Sequence, residues 1–360
     1  MQEKIYVENF GPISSVEIEI KDINVFIGTT SSGKSTIAKL ISVFKSDQLH
    51  YKPEWFDGSQ GESSSYILQF NKLLVSYNID FPIKSNTLIR YEKNGQFYEI
   101  KNGNINSNYS LYSNPGHCNA IYIPAERNLF STLSQSIFSL ISSDIALPKW
   151  LLDFGKKFEN ARRDIKFLDI DFLDIKYRFS EGNDIIELKN KETIKLSQGS
   201  SGLQSVIPLM MVIQHLTEDI NNIDKEVNYD LFVVEEPEMN LYPSSQKELL
   251  EFIIQRVKRC KDKLIITTHS PYILTTLDNL VQAGNVNIKD PKTRSMLGKI
   301  VPDSLWTDFD KVSCYFFDGG TAKTTLDHEL RTLGSSKIDD VSENLSTVFD
   351  AILSLKYQDK

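Results

Sequence analysis

The fold of this chain is decided by the sequence Gly28-Thr29-Thr30-Ser31-Ser32-Gly33-Lys34-Ser35-Thr36, which has the complete spacing G-x-x-x-x-G-K-S. The apolar run before it predicts a buried strand, and the apolar positions after it predict the start of a helix. In this context the backbone N–H groups surround phosphate, and the N-terminal end of the helix attracts its charge. We therefore expect a nucleotide-binding loop, with Lys34 at the β- and γ-phosphates and Ser35 on Mg²⁺. The alternative is a glycine turn that merely caps a helix, and it leaves the lysine, the hydroxyl and the flanking strand unexplained.

Composition limits the class of protein. The 360 residues are 40% hydrophobic and 24% charged, which is typical of a globular chain with one large domain or two modest ones. No apolar run approaches the ~18 residues that a membrane-spanning helix needs, and the N-terminus has no signal-peptide pattern. The cysteines are isolated and lack metal-ligand spacing: Cys118, Cys260 and Cys314. We expect a cytoplasmic protein with reduced thiols and no membrane partner.

The net charge of −8 does not favour broad contact with nucleic acid. A DNA partner would need a local basic patch, and the best candidate is residues 156–166. Its acidic members weaken such a patch, and a solvated helix face is the alternative interpretation.

Local patterns predict the order of elements. Turn signals at Gly11-Pro12, Asn94-Gly95 and residues 181–184 indicate three β-hairpins. The remaining patterns predict strands at 120–123, 231–234, 264–267 and 312–317 (the last strand), and helices over 128–170, 203–216, 246–257 and 338–355.

Two acidic residues end the apolar run at 231–234. In a phosphate-loop ATPase we expect this strand beside the phosphate-loop strand, with Glu235 as the acid on the metal side and Glu236 as the general base. A strand running into a solvated acidic turn is the alternative. The apolar run at 264–267 similarly leads to His269, which could contact the γ-phosphate or orient the attacking water.

These motifs together resemble the ABC-class ATPases of the SMC/RecF/OLD-like branch, the bacterial "AAA family ATPases" of phage-defence and DNA-repair systems. Four features carry the resemblance in the expected order: ENFGPI…INVFIG leading to GTTSSGKST, a Ser/Gly signature before an apolar helix, VVEEPEMNLYP, and ITTHSPYIL. The resemblance covers residues 1–44 and 196–275 closely and 119–127 loosely.

The resemblance implies ATP and Mg²⁺ as ligands and a homodimer or higher homo-oligomer. In such families the signature binds the γ-phosphate of ATP held by the opposite subunit. Here the signature is expected at Ser200, Ser201 and Gly202, because Gly202 directly precedes the apolar helix. The segment 196–200 is a competing register for the signature. A Ser/Gly helix cap without a role in nucleotide binding is the alternative interpretation. The loop after the acidic strand resembles a dimer contact, with Asn240 and Leu241 as interface candidates.

Two departures from the family pattern matter. Glu235 stands where most relatives have aspartate, and Ile123-Pro124-Ala125-Glu126-Arg127 occupies the position of the glutamine loop without a glutamine. Glu126 could approach Mg²⁺ or its water, and Arg127 could face a phosphate. A salt-bridged structural pair is an equal alternative.

The resemblance predicts an α/β P-loop fold of ABC type. Its features would be a mostly parallel sheet with helices on both faces, an N-terminal antiparallel β subdomain and a helical insertion. The expected segments are 1–127 (first half of the ATPase domain), 128–195 (helical and hairpin insertion), 196–320 (second half) and 321–360 (helical extension). Neither sustained heptads nor a second active site is evident, so the output would pass through a separate effector such as a nuclease or a toxin.

The leading hypothesis is therefore an ATP-hydrolysing switch that dimerises around ATP, in anti-phage defence or a DNA-related process. The alternatives are a non-hydrolysing ATP sensor that sequesters a partner, and the ATPase subunit of a transporter.

Overall fold

A computed structural model describes residues 3–52, 61–108, 110–112, 118–133, 147–218, 229–288, 290–334, 347–350 and 352. The strands are β1 (Glu3–Phe10), β2 (Ile13–Glu19), β3 (Ile23–Gly28), β4 (Leu88–Lys93), β5 (Gln96–Lys101), β6 (Asn104–Ser107), β7 (Cys118–Ile123), β8 (Phe167–Ile170), β9 (Ile175–Ser180), β10 (Asn183–Glu187), β11 (Thr193–Lys195), β12 (Tyr229–Glu235), β13 (Lys263–Thr268), β14 (Val312–Asp318) and β15 (Thr321–Thr324). The helices are α1 (Lys34–Lys45), α2 (Asp47–His50), α3 (Glu62–Ser76), α4 (Asn128–Leu133), α5 (Lys149–Asp164), α6 (Ser201–Glu218), α7 (Pro243–Cys260), α8 (Pro271–Asn285) and α9 (Pro291–Ile300).

Within these ranges, one mixed sheet of eleven strands has the order β6-β5-β4-β1-β2-β15-β14-β3-β13-β12-β7. Parallel pairing joins β14, β3, β13, β12 and β7, and antiparallel pairing joins β1, β2, β4, β5 and β6. A separate antiparallel sheet has the order β11-β10-β9-β8. The predicted α/β phosphate-loop fold is confirmed, with the antiparallel region continuous with the parallel one.

The parallel strands form the centre of the core. Residues 231–234 of β12 and 264–266 of β13 are fully buried, which requires cover on both faces of the sheet. Helix α1 packs against β7, β12 and β13, while α5, α6, α7 and α8 pack on one another in succession. Burial of these near-continuous apolar runs is the main stabilising contribution to this region.

The strand order corrects one expectation. The acidic strand β12 does not lie beside β3, because β13 is inserted between them and pairs with both. In a parallel sheet, the helix that connects two strands determines where the second strand is placed. The apolar pattern within a strand does not predict that placement.

Most local predictions are confirmed, and two were wrong. All three predicted hairpins form, and Asn94 and Gly95 have φ values of 52° and 79°, as a tight primed turn requires. Residues 167–170 form β8 rather than helix, because they pair with β9 along its length. Strand β14 was predicted to be the last strand, but it is followed by β15, which joins the same sheet. Parts of the predicted helical patterns lie outside the described residues: 134–146, and 338–355 apart from 347–350 and 352.

No helix in the described part of the chain is long and apolar enough to span a membrane.

A buried ion cluster fixes the start of β1 to the sheet. Glu3 is 1% exposed, and its carboxylate lies 2.5 Å from Lys45 Nζ and 3.3 Å from Lys263 Nζ. The Tyr91 hydroxyl donates to the same carboxylate at 2.8 Å. Burial alone would raise the pKa of Glu3, but the two lysine charges outweigh burial and lower the pKa to about 2.

This cluster predicts acid sensitivity. Because the pKa of Glu3 falls from an ordinary 4.5 to about 2 on folding, its stabilisation is complete above pH 4.5 and is lost as the pH falls towards 2. Glu3→Gln should lower the free energy of unfolding at pH 7 by on the order of 3 kcal/mol, and should flatten the pH dependence between 4.5 and 2. Urea unfolding at several pH values measures both, with the exposed Glu8→Gln on the same strand as control. Equal stability of the two variants at pH 7 would contradict this role.

Candidate functional site

The phosphate loop runs directly beside β14. The Thr29 N–H donates to Phe317 O at 3.1 Å, and the Thr29 hydroxyl donates to Asp318 Oδ1 at 3.0 Å. A Cβ on Gly28 would lie 2.0 Å from Phe317 O, and Gly28 has a φ of 146°, so the position requires glycine. Gly33, which caps the N-terminus of α1, has a φ of 102°. Thr29, Thr30 and Ser31 are exposed, so one side of the loop is open to a ligand.

Lys34 is held at the loop that precedes it. Its Nζ donates to Gly28 O at 3.1 Å and to Thr29 O at 2.7 Å, and the residue is buried. Burial lowers the pKa of the Lys34 ammonium, while the carboxylates of Glu236 and Glu238 oppose that shift. The lysine is therefore a partly desolvated charge held at the loop, and it interacts electrostatically with the acidic turn (residues 235–238) at the end of β12.

The acidic turn places its two leading carboxylates in different surroundings. Glu235, the last residue of β12, is 5% exposed, whereas the Glu236 side chain is 37% exposed. Glu236 has a φ of 41°, a conformation that costs a residue with a side chain roughly 1 kcal/mol or more. Its N–H donates to Thr267 O at 2.8 Å, which fixes the turn to β13. The backbone therefore turns at Glu236 and separates its side chain from the core.

His269 and Glu236 are neighbours at the ends of β13 and β12. His269 Nε2 lies 3.7 Å from Glu236 Oε1, and both side chains are about one-third exposed (36% and 37%). A carboxylate beside an imidazole can accept a proton from water that both groups orient. The structure thus brings together the two residues predicted to be catalytic.

Glu238 is a member of the site that the sequence reasoning missed. Its Oε1 accepts from the Thr268 hydroxyl at 2.6 Å and from the His269 N–H at 2.8 Å, while Oε2 is buried without a hydrogen-bond partner among the described residues. Glu238 therefore fixes the backbone that presents His269. The signal was the third acid in Glu-Glu-Pro-Glu, two residues after Glu236.

Arg127 neither faces a phosphate nor pairs with Glu126, so both predicted alternatives for it were wrong. Its fully buried guanidinium donates to backbone carbonyls of three separate segments. The acceptors are Pro124 O (2.9 Å), Ser205 O of α6 (3.1 Å), Glu235 O (2.7 Å), Glu236 O (2.8 Å) and Pro237 O (3.4 Å). Burial lowers its pKa to about 10, and the charges of Glu238, Glu235 and Glu236 oppose that shift. Arg127 is thus the buried cation that shapes the acidic turn and joins it to α6.

The residues predicted to ligate Mg²⁺ have the chemistry to do so. Glu235 Oε1 is buried and lacks a hydrogen-bond partner in the described ranges, as does Thr267 Oγ1, which pairs with Glu235 in register. No cluster of three His, Cys, Asp or Glu able to hold a metal exists among the described residues. Mg²⁺ at a phosphate loop needs none, because it takes one or two protein ligands and completes its shell with phosphate and water. Glu126 is exposed.

The predicted signature and the predicted dimer loop touch each other. Helix α6 begins at Ser201, so Gly202 lies in its first turn and not, as predicted from the sequence, directly before it. Ser200 and Ser201 are exposed, and Gly202 is buried. A Cβ on Gly202 would lie 2.7 Å from Asn240 O and 3.5 Å from Leu241 Cδ2, so only glycine permits this approach. The two segments therefore form one continuous surface.

The basic segment 156–166 is partly neutralised. Arg162 pairs with Asp184 at 3.0 Å and with Glu159, and Arg163 pairs with Glu159 at 2.8 Å. These contacts reduce the charge available to a polyanion.

A model of the AAA ATPase domain matches residues 1–146 and 125–274, which together span 1–274. The chain belongs to the AAA ATPase domain family. This family match confirms the ATPase family predicted from the sequence. It associates the phosphate loop with nucleotide chemistry in general.

Several solved structures are similar to this AAA ATPase domain. The SMC head domain from Thermotoga maritima shares 14% identity over 76% of this chain and 91% of its own, with a TM-score of 0.38. The recombination mediator RecF shares 11% identity over 90% of this chain and 97% of its own, with a TM-score of 0.38. The ADP conformation of an ATP-binding cassette of an ABC transporter shares 12% identity over 90% of this chain and 91% of its own, with a TM-score of 0.36. A comparison with curated proteins gives no match.

Proposed function

We propose that this chain hydrolyses ATP at the edge formed by the ends of β3, β12 and β13. The observation that carries the proposal is the proximity of Glu236 and His269, 3.7 Å apart at the ends of β12 and β13, together with a phosphate loop that holds Lys34 at Gly28 O and Thr29 O. A phosphate-binding group, a general base and an orienting imidazole are the parts that phosphoryl transfer to water requires.

In the proposed reaction the phosphate loop and Lys34 bind the β- and γ-phosphates and offset the charge that develops during transfer. Glu236 accepts a proton from the attacking water, whose oxygen bonds to the γ-phosphorus as the bond to ADP breaks. His269 orients that water or contacts the γ-phosphate. Ser35 and Glu235 would hold Mg²⁺, which supplies further charge neutralisation when bound, and Glu126 is a further candidate ligand.

We further propose that two copies close around ATP. Ser200 and Ser201 are exposed at the start of α6, and Gly202 packs on Asn240, so the signature and the dimer loop would meet a partner together. The output would pass to a separate effector, a nuclease or a toxin, in anti-phage defence or a DNA-related process. That assignment rests on the resemblance of the sequence motifs.

Glu236→Gln tests the proposal. Because the amide cannot accept the proton, turnover should fall about 10²- to 10³-fold while ATP binding is retained. Phosphate release measures turnover, and size-exclusion chromatography with Mg-ATP should show more dimer in the variant than in the wild type. The matched control is the exposed Glu248→Gln in α7. A wild-type chain without turnover, even with DNA and its effector, would favour the non-hydrolysing sensor; full turnover in Glu236→Gln would refute the role of Glu236.

A further inference from the structure

A buried glutamine in the first turn of α7 connects two loops of the proposed site. Gln246 is 8% exposed. Its Nε2 donates to Leu241 O in the predicted dimer loop at 2.9 Å, and its Oε1 accepts from the Ser270 hydroxyl at 2.6 Å. Ser270 directly follows His269 in the chain. One side-chain amide therefore joins the dimer loop to the segment that presents the proposed catalytic histidine.

The chemistry of the two partners specifies an amide at this position. A backbone carbonyl can only accept a hydrogen bond, so the amide nitrogen must face Leu241 O and the amide oxygen must face Ser270. A carboxylate of the same shape cannot donate to Leu241 O, and an apolar side chain of the same length offers neither group. Gln246 and Ser270 are both buried, so a partner lost here leaves a polar group unsatisfied.

On the histidine side, the hydrogen bonds continue to the backbone of His269. The Ser270 N–H donates to the Thr268 hydroxyl at 2.9 Å, and that hydroxyl donates to Glu238 Oε1 at 2.6 Å. The His269 N–H donates to the same carboxylate oxygen at 2.8 Å. Two contacts therefore hold the backbone of His269, one from Glu238 and one through Ser270.

On the other side, the hydrogen bonds reach the surface that would meet a second copy of the chain. Asn240 is exposed and has a φ of 62°, and its carbonyl oxygen lies 2.7 Å from the position that a Cβ on Gly202 would take. The Leu241 N–H donates to Glu238 O at 3.0 Å. A displacement of Asn240 would therefore move the carbonyl of the next residue, Leu241, to which Gln246 is bonded.

We propose that Gln246 is a positioning residue that couples the dimer loop to His269. Continuous hydrogen-bonded contacts of this kind carry energetic coupling between segments. When a second copy contacts Asn240, the amide transmits the displacement to Ser270 and so to the imidazole that orients the attacking water. This role rests on the proposed function, because it requires ATP hydrolysis and a dimer that closes around ATP. Turnover would then depend on the partner through a side chain that is itself buried.

A double-mutant cycle on turnover tests the coupling. Gln246→Met keeps the length of the side chain and removes both hydrogen bonds, whereas Ser270→Ala removes only the bond on the histidine side. Each variant should lower kcat about tenfold and change KM less than about twofold, because neither alters the phosphate loop. The double variant should also lose about tenfold, and not about a hundredfold, because both changes break the same connection. Since Ser270 also caps α8, thermal unfolding of each variant is measured in parallel.

Two further variants separate positioning from folding and assembly. Gln246→Glu keeps the acceptor for Ser270 but cannot donate to Leu241 O, so it should lower kcat as well, and it carries the test if the methionine variant does not fold. In the Glu236→Gln background, where ATP is retained, size-exclusion chromatography should show as much dimer with Gln246→Met as without it. The matched control is Gln255→Met, at an exposed glutamine of the same helix, which should leave kcat unchanged.

The outcomes that overturn the coupling differ from those that overturn the proposed function. Wild-type kcat in a folded Gln246 variant, losses that multiply in the double variant, or loss of the dimer in Gln246→Met would each overturn the coupling. If Glu236→Gln still abolishes turnover in that case, the proposed function stands and only the role of Gln246 fails. A wild-type chain without turnover would refute the proposed function, and the role of Gln246 with it.

Discussion

Replacing Lys34 by alanine is expected to weaken ATP binding at least about a hundredfold and to abolish turnover, because a desolvated charge that meets phosphate is costly to remove. The ammonium is already held at the loop by Gly28 O and Thr29 O, so little reorganisation is needed for it to meet a phosphate. Fluorescent-nucleotide titration and phosphate release measure the two effects.

The control for this prediction is the exposed Lys292→Ala in α9, which removes the same charge far from the loop in sequence. Thermal unfolding without nucleotide should place Lys34→Ala close to the wild type, which separates lost binding from lost folding. Wild-type turnover in Lys34→Ala would refute the assignment of the phosphate loop and, with it, the proposed function.

The second large effect is expected at Arg127. Arg127→Met should destabilise the chain by roughly 3–5 kcal/mol, because it leaves buried carbonyls of the acidic turn and of α6 without their donor. Arg127→Lys should fold more stably than the methionine variant, because it keeps the charge. A single ammonium cannot reproduce the planar set of donors, so the acidic turn should lose its fixed shape.

For Arg127→Lys we therefore expect kcat to fall about tenfold or more with a much smaller change in KM. The substitution leaves the phosphate loop unchanged, but it removes a hydrogen bond to the carbonyl of Glu236 and so displaces the backbone that positions this residue. Chemical unfolding and steady-state phosphate release measure stability and turnover. The matched control is Arg163→Lys in α5, whose side chain is 66% exposed. A lysine variant with wild-type kcat would show that the carbonyl contacts support folding only.

Much of the fold was predictable because its signals are local. The hairpins follow from turn residues a few positions apart, and α1 and α6 follow from apolar spacing within one element. Residues 167–170 show the limit of this reasoning: a pattern continuous with a helix became β8 because β9 offers it a pairing edge. Pairing depends on residues distant in sequence, and no local pattern reports it.

The site divides in the same way. Glu236 and His269 were identifiable from the strand ends that they follow, and Lys34 from the phosphate loop before α1; the structure places Glu236 and His269 side by side. Arg127 was misread because its position in the chain matched a loop that contacts nucleotide. Its actual partners are carbonyl oxygens, which every residue type carries and which leave no trace in a sequence.

By itself, the sequence determined a nucleotide-binding loop, the acids and histidine that accompany it, and the short-range hairpins and helices, since each of these follows from residue types at fixed spacing. Tertiary structure alone decided that β13 separates β12 from β3, that Glu238 fixes His269, and that Arg127 joins the acidic turn to α6. The physical reason is that crossovers and backbone hydrogen bonds between segments form when parts of the chain that are distant in sequence pack together. The apolar groups must then be buried and the polar groups hydrogen-bonded in the same arrangement.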